Sequence, residues 1–332
     1  MIKRCTIAAL IAGLVGVAPA TAKELNLATI ATESSVWGEM IKMFVDRVDE
    51  VSGGELTVVP FWGSQLGNQQ DTLNMMLRGR LDIWSGPASS FGVLSPESNA
   101  LYLPYVFRDG RETVCVMDKV GDELAQLIAP RGHLLGYYPN GTLDMVAKQE
   151  MRTPEDFKGV KVRTGTQDVP IKFWNSVGAQ AVPLSVGELN QSLATNLVTA
   201  GEQNEPFTLA ISTYSVAPYY IQTGHYYNIG GFVASNRLWD SLSEQEKDWI
   251  DEASKDGLNY ATFVDMFDKS LQPVLDELKA NGVSIIDLTE GETAIWREVG
   301  RATHEQFIAE FDDSTKAFYE KVIAATTECA PQ

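Results

Sequence analysis

The stretch RTPEDFKGVKVRTGTQ (152–167) contains the pattern from which the fold is predicted. Thr153 and Pro154 suit the N-cap and the first position of a helical turn. The segment VKVR (160–163) then alternates apolar and basic residues, which is the period of a half-buried β-strand. This strand ends at Arg163, and a buried guanidinium is costly to desolvate unless a partner pairs with it. The sequence therefore raises the question of what Arg163 binds.

Strands and helices alternate on both sides of this stretch. The predicted elements before it are strands at 24–31, 55–61 and 80–86 and helices at 34–54 and 68–79, and those after it are helices at 168–178 and 186–196 and strands at 181–185 and 198–203. This order predicts an α/β protein with two units, each a parallel-rich sheet flanked by helices, joined near residue 145.

A long helical pattern follows at 244–281. It extends over about 38 residues, or about 57 Å at about 1.5 Å per residue, whereas a domain of this size is only about 30–40 Å across. We therefore expect one kinked helix or two collinear helices across both domains, with the kink at Pro273 or Gly257. The predicted division is a first domain of 23–144 with 232–272, and a second domain of 145–231 with 273–332.

The N-terminus MIKRCTIAALIAGLVGVAPATAKELN (1–26) has a basic start, a short apolar run and an Ala-Thr-Ala site. These features predict a secretory signal over residues 1–22, cleaved near Ala22, and a periplasmic location. A short membrane anchor is the alternative. The net charge of −18 argues against nucleic acid or anionic membranes as partners.

The remaining chemistry-bearing residues give no sign of catalysis. The three histidines are far apart in the sequence, and no nucleophile, phosphate-loop or metal-ligand motif is present. We therefore expect no enzyme activity, no cofactor and no metal; an exported hydrolase is the remote alternative. Cys115 and Cys329, which follow the predicted signal, either form a disulfide or remain separate thiols.

Polar residues end three predicted strands. Arg163 ends one, Gln203 and Asn204 end another, and Trp84 and Ser85 end a third. Ligands of open α/β sheets bind beyond the carboxyl ends of strands, so we expect these side chains to meet in one cleft. A guanidinium there suits a small carboxylate. The alternative is that Arg163 pairs with a remote Asp or Glu.

Six segments of the chain resemble signatures of the DctP-type extracytoplasmic solute receptors of TRAP (tripartite ATP-independent periplasmic) transporters. They are FWGSQLGNQQDTLNMMLRGRLDI (61–83), LYLPYVFRD (101–109), MRTPEDFKGVKVR (151–163), VGAQAVPLSVGELNQSL (177–193), AGEQNEPF (200–207) and TGHYY (223–227). The resemblance implies a two-domain Venus flytrap with a long bracing helix. It also implies that the receptor, which we expect to be a monomer, delivers an organic acid to small and large membrane subunits driven by an ion gradient. An ABC importer is the alternative partner.

The resemblance implies that Arg163 binds the ligand carboxylate and that Asn204 assists. The chain departs from the family pattern in three places: Leu143 replaces a second arginine, Gln203 replaces a glutamate, and Val186 replaces an aromatic residue. A ligand with one carboxylate is therefore expected, with an ectoine-like zwitterion or a sulfonate as alternatives. The other candidate contacts are Glu33 for a cationic group, Gln65 as a polar contact, and Trp62, Trp84 and Phe207 as aromatic walls, while Trp37 is expected in the core.

Overall fold

A computed structural model describes residues 22–330 of the chain. The predicted signal peptide lies outside these residues except for Ala22. Within them the strands are β1 (Lys23–Thr29), β2 (Leu56–Phe61), β3 (Ile83–Pro87), β4 (His133–Ala147), β5 (Lys161–Thr164), β6 (Gln180–Pro183), β7 (Ala200–Gln203), β8 (Tyr219–Ala234) and β9 (Ser284–Ile286).

The helices alternate with these strands, as the sequence pattern predicts. They are α1 (Val36–Ser52), α2 (Gln69–Leu77), α3 (Gly110–Ile128), α4 (Asp168–Ser176), α5 (Leu189–Ala194), α6 (Glu205–Ala210), α7 (Asn236–Ser241), α8 (Glu244–Gly257), α9 (Tyr260–Ala280), α10 (Glu290–Glu310) and α11 (Asp313–Glu328). Short 3-10 helices cover Ala88–Val93, Pro96–Tyr102, Pro154–Phe157, Val186–Glu188 and Thr213–Ser215. In this part of the chain no helix is both long and apolar enough to cross a bilayer.

The strands form a sheet in the order β2-β1-β3-β8-β4-β7-β5-β6, with β9 paired to β8. The first unit contains the parallel strands β1–β3, and the second unit contains the parallel strands β5–β7. The two antiparallel strands β4 and β8 connect these units. With 15 residues, β4 extends over about 50 Å. The two long strands β4 and β8 therefore reach from one unit into the other.

Backbone irregularities occur where β4 and β8 pass between the units. Their pairing shifts register near Leu134, Pro139 and Leu143. Between these shifts, Gly141 has a φ of 90°, a conformation that L side chains rarely adopt. An added Cβ at this glycine would also lie 2.3 Å from the Phe267 ring of α9. Where β4 and β8 pass between the units, irregular strand pairing is therefore combined with close contact to helix α9.

The predicted long helix is two helices. Helix α8 ends at Gly257, and Asn259 caps α9 by accepting a 2.9 Å hydrogen bond from the Thr262 backbone N–H. Pro273 lies inside α9 and does not end it. The break falls beside Gly257, where α8 packs closely on α1: an added Cβ at this glycine would lie 3.1 Å from the Phe44 Cα.

Helix α9 contacts both units. Phe263 and Phe267, near its start, belong to the same core cluster as Phe44 of α1. Leu278, near its end, packs in a separate cluster with Leu189 of α5. The bracing role predicted for residues 244–281 thus falls mainly to α9.

Cys115 of α3 and Cys329 at the end of α11 form a disulfide. Helix α11 packs against α3 and against the 3-10 helix Pro96–Tyr102, both of which belong to the predicted first domain. The domain borders stay a prediction, but α11 contacts the first unit although the prediction assigns residues 273–332 to the second.

Replacing both cysteines with serine is expected to lower the free energy of unfolding by about 2–4 kcal/mol. The cross-link joins residues 214 positions apart, so its loss enlarges the unfolded ensemble. Urea denaturation of the double variant measures the effect, with reduced wild-type protein as the matched control. An unchanged free energy of unfolding would contradict this prediction.

Candidate ligand-binding site

A cavity with about 830 Å³ of empty space lies between the two units, part of it open to solvent. Its lining includes residues at the carboxyl ends of four parallel strands: Thr29 of β1, Ser85 of β3, Arg163 of β5 and Gln203 of β7. The loops and helix starts that follow these strands complete the walls. This is the edge at which open α/β sheets bind their ligands.

Arg163 is 7 % exposed and lines the cavity. Its Nε and Nη2 donate to the Leu184 carbonyl at 2.9 and 2.6 Å, and its Nη1 donates to the Glu202 carbonyl at 3.3 Å. Among the described residues, no acidic side chain forms an ion pair with it. A guanidinium has five N–H donors, so two remain available, one on each terminal nitrogen.

Arg163 keeps its positive charge although its side chain is buried. Burial lowers the pKa of Arg163, and the charge of Glu202 opposes that shift. An arginine remains charged at neutral pH even so, because its ordinary pKa is above about 12. Arg163 therefore places a positively charged group with two unused N–H donors, here called the fork, at the cavity wall.

Glu202 also lines the cavity, and both oxygens of its buried carboxylate accept hydrogen bonds from the protein. Its Oε1 accepts from the Trp174 indole at 2.7 Å and lies 3.3 Å from His225 Nε2, while its Oε2 accepts from the Gly165 backbone N–H at 3.2 Å. Burial alone would raise the pKa of Glu202, but His225, Trp174 and Arg163 together lower it. This network could not be predicted from the sequence, because its members are distant in the chain.

The two amides at the end of β7 differ in what they offer a ligand. Asn204 is the N-cap of α6: its Oδ1 accepts from the Phe207 backbone N–H at 3.0 Å and its Nδ2 donates to the Asn140 carbonyl at 2.9 Å. The Gln203 Oε1 accepts from the Thr208 hydroxyl at 3.0 Å, but its buried Nε2 has no partner within the described protein. Asn204 therefore mainly shapes the wall, whereas Gln203 presents a free donor.

Two further buried polar atoms of cavity-lining residues also lack partners within the described protein. They are the Ser85 Oγ and the Asn228 Oδ1. A buried polar atom without a partner costs about 1–3 kcal/mol.

Apolar and aromatic side chains form the rest of the lining. Val186 and Phe207 line the cavity, as does Leu143, where the family pattern has its second arginine. The remaining aromatic members are Trp37, Tyr102, Tyr138 and Phe232. Trp37 packs in the core and also lines the cavity. Its indole donates a hydrogen bond to the Pro139 carbonyl at 2.9 Å.

Four candidate contacts lie away from the cavity, contrary to the sequence-based expectation. Trp84 is fully buried in the core, because adjacent residues of a strand point to opposite faces and its neighbour Ser85 faces the cavity. Glu33 is exposed and pairs with Lys42 at 3.1 Å. Gln65 is exposed in the turn after β2, and Trp62 packs beside the core of the first unit.

The sequence analysis also missed several residues that line the cavity. They are Gln69, Tyr102, Tyr138, Asn140, Gln167 and Asn228. Three of them lie on β4 and β8, where polar and tyrosyl side chains interrupt long apolar strands. Such interruptions are a usable signal, but only once the two strands are known to pass through the site.

A cavity between two α/β units, with a charged fork at one wall, defines a solute receptor of the Venus flytrap type. The model of the DctP family, bacterial extracellular solute-binding protein family 7, matches residues 27–310, and this chain belongs to that family. The family is one of TRAP-type binding proteins rather than of enzymes, which confirms the predicted class.

Individual relatives support the same class. The 2,3-diketo-L-gulonate-binding periplasmic protein YiaO of Escherichia coli K12 is 29% identical over 74% of this chain and 75% of its own. The ectoine/5-hydroxyectoine-binding periplasmic protein UehA of Ruegeria pomeroyi is 23% identical over 96% of both chains. A TRAP periplasmic solute-binding protein of Bradyrhizobium sp. BTAi1, solved with α/β-D-galacturonate, superposes with a TM-score of 0.85 at 25% identity, covering 91% of this chain and 100% of its own.

Proposed function

We propose that this receptor captures a polyhydroxylated monocarboxylate, a sugar acid, and delivers it to the small and large TRAP membrane subunits. Arg163 binds the ligand carboxylate in this proposal. The observation that carries it is the buried guanidinium with two free N–H donors and no acidic partner among the described residues. Such a fork matches the two oxygens of a carboxylate.

One carboxylate suits this cavity better than two. Among its described lining residues, Arg163 alone has a cationic side chain, and Leu143 presents an apolar surface. A second carboxylate would lose its water without gaining a charged partner, which is strongly unfavourable in a closed pocket. A dicarboxylate should therefore bind much more weakly than a monocarboxylate of the same length.

Hydroxyl groups on the ligand fit the free polar atoms of the wall. The amide of Gln203 donates, the Asn228 Oδ1 accepts and the Ser85 hydroxyl does either. If closure brings these three buried atoms into contact with the ligand, they favour a sugar acid over an apolar acid. The ligands printed for YiaO and for the Bradyrhizobium protein belong to the same chemical class.

A zwitterion of the ectoine type is the second candidate, favoured by the aromatic lining, since aromatic faces attract cations. However, a buried cationic group also needs an anionic acceptor. Both oxygens of Glu202 already accept hydrogen bonds from the protein, and Glu33 lies away from the cavity. The sugar acid is therefore the better-supported candidate, and a sulfonate would use the same fork.

Capture follows from hinge closure around the ligand. The ligand bridges the two units, closure excludes water, and the lower effective dielectric strengthens the pair between Arg163 and the carboxylate. Strands β4 and β8 and helix α9, which connect the units, are the elements that must bend.

A matched ligand series tests this proposal. We expect D-galacturonate to raise the melting temperature of the purified protein, whereas neutral D-galactose should not and the diacid D-galactarate should do so far less. Calorimetry gives the affinities, and the recovered ligand should be chemically unchanged. Equal binding of galactose and galacturonate would contradict the carboxylate assignment, and tighter binding of ectoine would favour the zwitterion.

A further inference from the structure

Two carboxyl groups are buried behind the cavity wall, and ligand capture as proposed above does not use them. Asp144 lies on β4 and is 1 % exposed, while Glu205 begins α6 and is 5 % exposed. Asp144 pairs in register with Gln203 of β7, and Glu205 directly follows Asn204. Leu143, the residue before Asp144, lines the cavity. Both acids are thus attached to backbone that carries cavity-lining side chains.

The two carboxyl groups are neighbours that interact with each other, because Asp144 pairs in register with Gln203, two residues before Glu205. The Tyr220 hydroxyl donates to Asp144 Oδ2 at 3.0 Å and lies 3.4 Å from the Gln203 carbonyl, and the Gly224 backbone N–H donates to Asp144 Oδ1 at 2.7 Å. The Glu205 Oε2 has no partner within the described protein. Two carboxylate oxygens in contact repel unless a proton lies between them.

No cation compensates this pair within residues 22–330, since neither acid forms an ion pair there. The titratable side chains that face it are tyrosines, Tyr220 and Tyr227 of β8 and Tyr105 of the segment before α3. The charged groups near these tyrosines are Arg297, whose charge lowers the pKa of Tyr105, and Asp109 and Asp268, whose charges raise the pKa of Tyr227. Two adjacent carboxyls in such surroundings cannot both ionise at neutral pH.

We propose that Asp144 and Glu205 share one proton at neutral pH, and that this protonated pair holds the Gln203–Asn204 edge of the cavity in place. When the pair loses its proton, repulsion between the two carboxylates displaces this edge and ligand affinity falls. The role of the pair in affinity rests on the proposed function, whereas the shared proton does not. These acids are positioning residues, because they act on the ligand through their neighbours.

The direction of the pKa shifts agrees with this geometry. Burial raises the pKa of Asp144 well above its ordinary value, and the charge of Glu205 adds to the shift; burial also raises the pKa of Glu205. The folded protein then keeps a proton that the unfolded chain releases above about pH 4. The pair therefore contributes less stability as the pH rises between the unfolded and folded pKa values.

The first experiment needs no ligand. Infrared difference spectra of the wild type against Glu205→Gln at about pH 7 should show one protonated carboxyl band that the variant lacks. The free energy of unfolding should fall with rising pH more steeply in the wild type than in the variant, by a slope equivalent to about one proton. Glu298→Gln, an exposed carboxyl-to-amide change, is the matched control, and Asp144→Asn is the second variant if Glu205→Gln does not fold. Absence of the band, or parallel pH profiles, would overturn the proposal.

The second experiment measures the dissociation constant of D-galacturonate from about pH 6 to about pH 9, the range in which buried carboxyls are known to titrate. We expect wild-type affinity to fall at least tenfold across the alkaline part of this range, and the profile of Glu205→Gln to be flat. Identical profiles would overturn the positioning role. If D-galacturonate does not bind at any pH, the proposed function fails, while the infrared and unfolding results still decide whether the proton is shared.

Discussion

Arg163→Ala is expected to weaken binding of a sugar acid by about 30- to 5000-fold, or about 2–5 kcal/mol. The change removes the two free N–H donors and leaves the ligand carboxylate in a closed pocket without a counter-charge. Calorimetry with D-galacturonate measures the loss. A change below about threefold would contradict the assignment of this side chain, because truncating one partner of a buried charge pair has a much larger effect.

Two further variants show whether the loss of affinity comes from the two N–H donors, from the positive charge alone, or from a general change in strand β5. Arg163→Lys keeps the charge but cannot donate from two parallel N–H groups, so we expect its affinity to be impaired as well. Lys161→Ala removes an exposed cation from the start of the same strand, β5, and should leave affinity unchanged. Since Arg163 also donates to Leu184 and Glu202, the melting temperature of each ligand-free variant should be measured alongside.

The position of Arg163 could be predicted from the sequence because it depends on local information. A period-two pattern identifies a strand, and the carboxyl ends of parallel strands share one edge of a sheet. The same reasoning placed Ser85 and Gln203 at the cavity. It failed for Trp84, where two adjacent residues of one strand were assigned to one site although the pleat sends them to opposite faces.

Features that depend on tertiary pairing could not be predicted in this way. Asn140 and Asn228 reach the cavity because β4 and β8 continue from one unit into the other, and no short window of sequence reports that continuation. Likewise, the sequence offered both Pro273 and Gly257 as positions for the kink, and only the folded chain shows that α8 ends at Gly257 while Pro273 lies inside α9. The return of α11 to the first unit follows from contacts more than 200 residues apart.

The network behind Arg163 also depends on such pairing. Glu202 on β7, Trp174 on α4 and His225 on β8 come from three separate elements and meet only in the folded chain. Position-by-position comparison with the family pattern draws attention to Gln203, yet it is the neighbouring Glu202 whose carboxylate is fully hydrogen-bonded. The effect of replacing Glu202 on the free energy of unfolding therefore tests the described site.

Glu202→Ala is expected to lower the free energy of unfolding by about 2–6 kcal/mol at about pH 7, because two buried donors would each lose an acceptor at about 1–3 kcal/mol. The Trp174 indole and the Gly165 backbone N–H would lose their acceptors. Glu202→Gln should lose less, about 1–3 kcal/mol, since both oxygens of the native carboxylate accept hydrogen bonds and the amide nitrogen would face one of these donors.

The pH dependence of this loss distinguishes a carboxylate from a merely well-packed side chain. Because the folded-state pKa of Glu202 is lowered, its ionic contribution is present above the unfolded pKa of about 4.3 and disappears as the pH falls through the folded value. The difference between wild type and Glu202→Ala in urea denaturation should therefore be constant from about pH 7 to about pH 5 and shrink as the pH falls below about 4.3. Contributions from Asp144 and Glu205 occur in both proteins and cancel in this difference, and Glu298→Ala serves as the exposed control. A loss of stability that stays constant as the pH falls below about 4.3 would show that Glu202 acts through packing alone.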